Sequence, residues 1–311
     1  MEITERNGKA GCSGSDENAA ALTAITQRLN DLGAYLQYAV GDPRQLPYDV
    51  HWVEETDFAH LDKPSQQHLI AQLERSEFGS SPKACSAALL LRYGWSAGFL
   101  IGAWMTSGIV VQNARQSLGF NRSHVLLSGV CIQGCEGFLT PRTSSVEVRR
   151  ERLLDELACH ARAAVEAHHR WSGFSRKALW AMVTSSWAAQ FATVGEKLGR
   201  PELALSEAAE LLALDPDTSA SQPELYIVQA DGRNGICQKR KLCCLWHKSP
   251  QGGFCSSCPI LPEHERLTRN HDWVRQYGIR SDCLPLELLR ASSRRTDEPR
   301  RTSGISQTSA R

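Results

Sequence analysis

Residues 145–198 read SVEVRRERLLDELACHARAAVEAHHRWSGFSRKALWAMVTSSWAAQFATVGEKL, two long stretches of helical signature either side of Trp171-Ser172-Gly173-Phe174. The first opens at Ser144 and Ser145 with acidic residues behind them, and carries Leu153, Leu154, Leu157 and Ala161 at helical spacing. Helices are predicted over 145–170 and 175–198. His168 and His169 fall at the end of the first, where positive charge complements the helix dipole. The same period returns outward from this pair. Residues 19–39 hold Leu22, Ile25, Leu29, Leu32 and Leu36, and 65–74 form a shorter candidate. Pro201 begins a helix that Asp215-Pro216 stops near Leu214, and Pro82 precedes a long apolar helix predicted to end near Arg115. Only HVLLSGVCIQG (124–134) and ELYIVQA (224–230) read as strands. The expected class is α+β: a predominantly helical body with a small antiparallel sheet, and a short C-terminal segment beyond it. No repeat of 20–50 residues is visible.

Composition narrows the function. The chain has 311 residues, 41% hydrophobic and 22% charged, enough to bury a sizeable core. Lys and Arg number 35 against 34 for Asp and Glu, so net charge makes no case for nucleic acid. MEITERNGKAGCSGSDEN at the start is polar where a signal peptide would be apolar, so a cytoplasmic protein is expected. Tyr93 to Val111 runs nineteen residues without a charge, about the length that crosses ~30 Å of hydrocarbon. Its four glycines and three hydroxyl side chains favour a buried core helix, with peripheral membrane contact left open. The expected organisation is a disordered 1–18, a helix-rich body over 19–230, a cysteine-bearing segment over 231–290 and a disordered, Arg-rich tail over 291–311. Asp231 to Gly235 is read as the turn between body and segment.

Eleven cysteines in a chain without a signal peptide point to metal binding rather than disulfides, and the odd count opposes complete pairing. Four of them crowd into 243–258, CCLWHKSPQGGFCSSC. Thiolate suits zinc, Cu(I) or iron–sulfur centres. Cys255-x2-Cys258 is an ordinary metal turn, but Cys243-Cys244 is not, because neighbouring side chains on an extended strand point to opposite faces. A turn could reunite them, or they could approach a larger cluster from two directions. A two-iron cluster spreads its ligands over two metals and tolerates such a pair better than one tetrahedral zinc. On the residues alone, [2Fe–2S] leads, with zinc second and a vicinal disulfide third. His247, Cys237 and the pair Cys131 and Cys135 are read as non-ligands, and Cys12, Cys85, Cys159 and Cys283 are isolated.

Arg240-Lys-Leu-Cys-Cys-Leu-Trp followed by Phe254-Cys-Ser-Ser-Cys-Pro259 resembles the C-terminal signature of FhuF-type ferric-siderophore reductases, whose Cys-Cys-x10-Cys-x2-Cys spacing is the same. The resemblance implies a [2Fe–2S] cluster held by Cys243, Cys244, Cys255 and Cys258. It further implies one-electron reduction of Fe(III) in a siderophore, with hydroxamates favoured, so that the hard-donor chelate loosens as Fe(II) forms. No catalytic side chain beyond the cluster is required. Arg240, with Lys239, Lys241 and Lys248, makes the loop basic, and is singled out as tuning the cluster or contacting a partner. Trp246 and Phe254 are expected to shield it. Neither G-x-G-x-x-G nor a Walker-type loop is present, so a separate ferredoxin, flavin or NAD(P)H-dependent reductase is expected to supply electrons. The chelate should bind between body and segment, with Arg122, Arg142 and Trp180 as conceivable lining. The alternatives are a zinc-stabilised binding protein, and an accessory protein of siderophore synthesis or transport.

Overall fold

The computed structural model describes residues 13–33, 36–46, 49–75, 81–250 and 252–280. The tail expected over 291–311, residues 1–12, Cys12 and Cys283 lie outside the described residues.

Helix α6 (Arg176–Lys197) is the axis of the molecule. Ser175 caps it, its hydroxyl accepting from the Ala178 N–H at 3.2 Å. Sixteen of its residues between Ala178 and Gly195 are buried, including Trp180, Trp187 and Phe191, so it is enclosed on every side rather than amphipathic. Around it pack α3 (Pro82–Tyr93), α4 (Gly98–Ser107), α5 (Val146–Ser172), α7 (Pro201–Ala213) and α8 (Pro216–Ser221). Gly94 permits a close approach: a Cβ there would lie 2.8 Å from that of Ser186. Polar bonds fix the outer helices. Trp104 of α4 donates its indole N–H to Glu207 of α7 at 3.0 Å, and Arg150 of α5 pairs with the same carboxylate at 3.1 Å.

The predicted helix from Pro82 to Arg115 is therefore not one helix. A 3-10 turn over Gly94–Ala97 separates α3 from α4, and α4 ends at Gly108, whose φ of +64° continues no right-handed helix. The apolar run Pro82–Ser107 has the length and composition to cross a bilayer, but 83% of its most apolar window is buried inside the body.

Helix α1 (Ser13–Asp31) starts within the stretch expected to be disordered and stops before the predicted residue 39. The stop has a cause: Asn30 donates its amide to the Tyr38 carbonyl at 2.8 Å and accepts from the Tyr38 N–H at 2.9 Å. That side chain holds residues 37–40 as strand β1 (Gln37–Val40), which pairs in parallel with β5 (Leu127–Gly134). With β2 (Val50–Glu54) and β4 (Arg115–Asn121) they form a mixed sheet in the order β1-β5-β4-β2. β4 escaped sequence reading because its buried residues include Gln116 and Ser117, held by Glu55 and Glu54 rather than by apolar contact. β3 (Val110–Gln112) and β6 (Gly137–Leu139) make a two-stranded sheet. The α2 helix (Pro64–Leu73) closes on this end of the body.

The third sheet leads into the cysteine loops. β7 (Glu224–Ala230) and β8 (Arg233–Lys239) form a hairpin, with β9 (Ile279–Arg280) at its edge. Asp231 and Gly232 take φ of +49° and +72° in its turn. The turn expected to divide body from segment is thus inside one sheet. The segment also contains a helix that was not expected: α9 (Glu263–Tyr277) lies across β7 and β8, with Val274 fully buried and Asn270 bonded to the Tyr226 hydroxyl at 2.6 Å. Glu196, in the last turn of α6, accepts the Ile236 N–H and fastens β8 to the body.

Burial sets two expectations for stability. Truncating Trp187, 1% exposed at the centre of α6, to Ala should cost about 3–5 kcal/mol by chemical denaturation. Burial raises the Glu55 carboxyl from 4.5 to about 7; a hydrogen bond from Tyr93 works against this, and the Glu156 charge adds to it. Folding then favours the protonated acid, so stability should fall as pH rises from about 4.5 to about 7. Denaturation of Glu55→Gln across that range should show a shallower slope, leaving the part due to Glu196, which burial also raises to about 7.

Candidate metal centre

Strand β8 delivers Arg240 to a position 7% exposed, and three of its bonds close the loop that follows. Its backbone N–H donates to the Ser257 carbonyl at 2.9 Å, its Nε to the Ser257 hydroxyl at 3.0 Å and its Nη2 to Cys255 Sγ at 2.7 Å. One residue thus ties the start of the segment to the Cys-x2-Cys turn, which is tightened by the Cys258 N–H on the Cys255 carbonyl at 3.0 Å.

The adjacent pair is reunited by its neighbour. Leu245 takes the left-handed conformation at φ +65°, so the chain reverses immediately after Cys244. The Leu245 N–H donates to Cys243 Sγ at 3.3 Å, and a 3-10 turn over Trp246–Lys248 follows. Cys244 comes within hydrogen-bonding reach of both Cys243 and Cys255. The divergence expected of an extended pair is absent, because the pair sits in a turn. Cys244 and Cys258 are buried, while Cys243 and Cys255 are half-buried, and none is in a disulfide.

The electrostatics centre on Cys244. Hydrogen bonds from Cys243 and Cys255 hold its thiol far below the ordinary range despite burial, helped by the Arg240 charge. Cys243 and Cys255 are correspondingly pushed up, first by that hydrogen bonding to Cys244 and then by burial. Burial alone would lower the Arg240 guanidinium, but the Cys244 and Cys255 thiols more than offset it.

These residues fit an iron–sulfur cluster. Four thiols gather from two loops, with N–H and O–H donors on Cys243 and Cys255. The Arg240 Nη1 is buried with no hydrogen-bond partner, an orphaned cationic donor among sulfurs that an anionic cluster would satisfy. Among the described residues no group of three or more His, Cys, Asp or Glu side chains is already placed to hold one metal ion.

A cavity of about 360 Å³ opens on Cys244 and Cys255, between the body and the segment where it was expected. Its wall is Ala88, Leu91, Arg92 and Trp95 of α3 and the following turn, Leu126 and Leu127 before and in β5, and Arg240 and Trp246. Trp246 lines it; Phe254 does not shield the cysteines but is 41% exposed. None of Arg122, Arg142 or Trp180 is in its wall: Arg122 pairs with Asp49 at 2.7 Å on the surface, and Trp180 packs in the core against Trp187. Arg92 and Trp95 were missed by sequence reading. A signal existed, since Arg92 is the one charged residue between Ala84 and Ala114.

The other candidates have surroundings of their own, and one differs from its expected character. His247 Nδ1 is 3.5 Å from Cys243 Sγ, but its ring stacks on Phe254. Cys237 is buried in a small cluster with Val228, Ala230 and Val274, and burial pushes its thiol up to about 12. Cys131 is buried in β5 and bonds the Gly41 carbonyl at 3.3 Å. The exception is His168, which does not offer positive charge to the end of α5. Fully buried beside the Ser86 hydroxyl at 3.0 Å, it is pushed down to about 3 by burial and is neutral.

Residues 240–259 match the family model of the FhuF 2Fe-2S C-terminal domain, and Cys243, Cys244, Cys255 and Cys258 fit its motif. The segment is thus of the type that carries a [2Fe–2S] cluster, and the match supports a ferric-siderophore-reductase-like role in general terms. No curated protein and no solved structure matches the chain.

Protein purified without oxygen should hold about two irons and two acid-labile sulfides per chain, with visible absorption to match. Cys→Ser at 244 or 258 should lose most of both, while Cys237→Ser should keep them. Iron and sulfide analysis of the three variants checks this.

Proposed function

We propose that the protein is a ferric-siderophore reductase whose [2Fe–2S] cluster is bound by Cys243, Cys244, Cys255 and Cys258. The observation that carries the reading is the cavity whose wall contains two of those cysteines, so that a ligand seated there meets the sulfur edge directly. When bound, the cluster supplies one electron at a time. The substrate is Fe(III) in a siderophore, whose hard oxygen donors release the metal more readily as Fe(II).

The chain's own residues do the positioning. Leu91, Trp95, Leu126, Leu127 and Trp246 give the cavity an apolar wall that excludes water and receives the organic part of a chelate. A ferric trihydroxamate is electrically neutral, which suits that wall and agrees with the hydroxamate preference implied by the resemblance. Arg240 holds Cys255 by a charge-assisted bond, and positive charge beside a cluster favours its reduced form. No general acid or base is assigned. A cytoplasmic protein, with or without peripheral membrane contact, and a separate electron donor belong to the same proposal.

The test is direct. Dithionite-reduced protein should be reoxidised by a ferric trihydroxamate, with Fe(II) appearing in a ferrous-specific chelator. Leu126 is 51% exposed at the cavity and can be enlarged with little strain. Leu126→Trp should slow reoxidation by the siderophore by about tenfold, yet leave reoxidation by ferricyanide nearly unchanged. Equal rates for both oxidants would remove the cavity from the reaction, and no reoxidation by the trihydroxamate would remove the activity.

A further inference from the structure

The cysteine centre has two sides built from different residues. Toward the body, Cys244 and Cys255 meet the cavity with Leu91, Arg92 and Trp95. On the other side, half-buried Cys243 lies beside His247, whose ring stacks on Phe254 with centroids 5.1 Å apart. Phe254 is 41% exposed although it precedes Cys255, and Ile260, two residues after Cys258, is 54% exposed. Arg269 of α9 donates to the Phe254 carbonyl and holds that loop outward. Lys241 and Lys248 are exposed on the same loops. Cys243, Phe254, Ile260, Lys241, Lys248 and Arg269 are all absent from the cavity wall.

The two cysteine loops carry charge of one sign: from Gly232 to Pro262 there is no Asp or Glu, and Lys241 and Lys248 are exposed, with the first acidic residues, Glu263 and Glu265, in the first turn of α9. Among the described residues neither Lys241 nor Lys248 forms an ion pair, so the local fold does not use these charges. Exposed phenyl and isoleucine side chains with basic residues around them make an apolar centre with a charged rim, the composition of a protein-docking face. A small chelate needs concavity, and that lies on the other side. A protein cannot enter a cavity of 360 Å³ and must dock on a surface. The sequence holds no dinucleotide or phosphate loop by which a nicotinamide cofactor would bring electrons itself.

We infer that the face formed by Lys241, Lys248, Phe254 and Ile260 docks an acidic one-electron carrier protein, while the ferric chelate occupies the cavity. The inference rests on the reductase reading and adds that donor and chelate bind together rather than in turn. In each cycle the carrier loses one electron and one Fe(III) becomes Fe(II), and no bond to the protein forms or breaks.

Binding of an acidic plant-type ferredoxin to the cluster-loaded protein tests this, with basic cytochrome c as the control carrier. The ferredoxin should bind at about 20 mM salt and weaken about tenfold or more by about 200 mM. Lys241→Glu with Lys248→Glu should weaken it about tenfold, and Phe254→Ala several-fold, with the visible spectrum showing that the cluster is kept. A saturating ferric trihydroxamate should not displace it. If the double variant loses its cluster, the salt titration and the cytochrome c control on the unaltered protein still decide. Absence of ferredoxin binding at low salt, equal binding of cytochrome c, or displacement by the chelate overturns the inference. Failure of the reductase reading looks different: reduced protein that a ferric trihydroxamate does not reoxidise, with ferredoxin binding intact.

Discussion

Burial of α6 around its whole circumference is the constraint on which the other elements depend. A helix enclosed on all sides has no face to spare, so α3, α4, α5, α7 and α8 must each cover part of it. Small residues set how close they come, as Gly94 does against Ser186. The same helix reaches beyond the body: Glu196 in its last turn accepts the Ile236 N–H and so fixes β8, and Arg240 follows directly on its last residue, Lys239. A continuous mechanical path therefore runs from the core to the cysteine loops. That path is why a segment of few apolar residues holds a defined arrangement.

Arg240 turns that path into chemistry. A guanidinium buried this deeply is costly unless negative charge surrounds it, and here the charge is sulfur. Its bonds to Ser257 and Cys255 bring the two halves of the motif together, while the left-handed Leu245 turns the adjacent cysteines to the same side. The cavity lies where the loops meet α3, so its wall takes residues from both. The outer loops carry the remaining lysines and the exposed Phe254, which separates a concave, apolar approach from a convex, basic one.

The elements legible in the sequence were those whose stability is local. α2, α5, α6 and α7 have caps or proline starts, and each lies within a few residues of its expected place. The misplaced elements owe their form to distant partners. Residues 32–39 continued an apolar period, but Asn30 clasps Tyr38 and β5 offers a free edge, so the chain becomes β1 there. The apolar stretch after Pro82 breaks at Gly94–Ala97 and Gly108 because it must wrap α6, a demand no propensity within it reveals. β4 and α9 were overlooked for a shared reason. Gln116, Ser117, Arg266 and Asn270 are buried polar residues whose partners lie elsewhere in the fold.

By itself the sequence determined the chemistry of the centre: four thiols at Cys-Cys-x10-Cys-x2-Cys spacing, a basic loop around them and a helix-rich body before them. Residue identity and spacing carry such information because thiolate softness and loop length belong to the local chain. Only the tertiary structure decided which side of the centre is open, that Arg92 and Trp95 rather than Arg122 or Trp180 face it, and that the adjacent cysteines converge. Those outcomes depend on α3, β5 and the cysteine loops being packed together around α6, although α3 and the cysteine loops are 150 residues or more apart in sequence, and no local signal encodes that encounter.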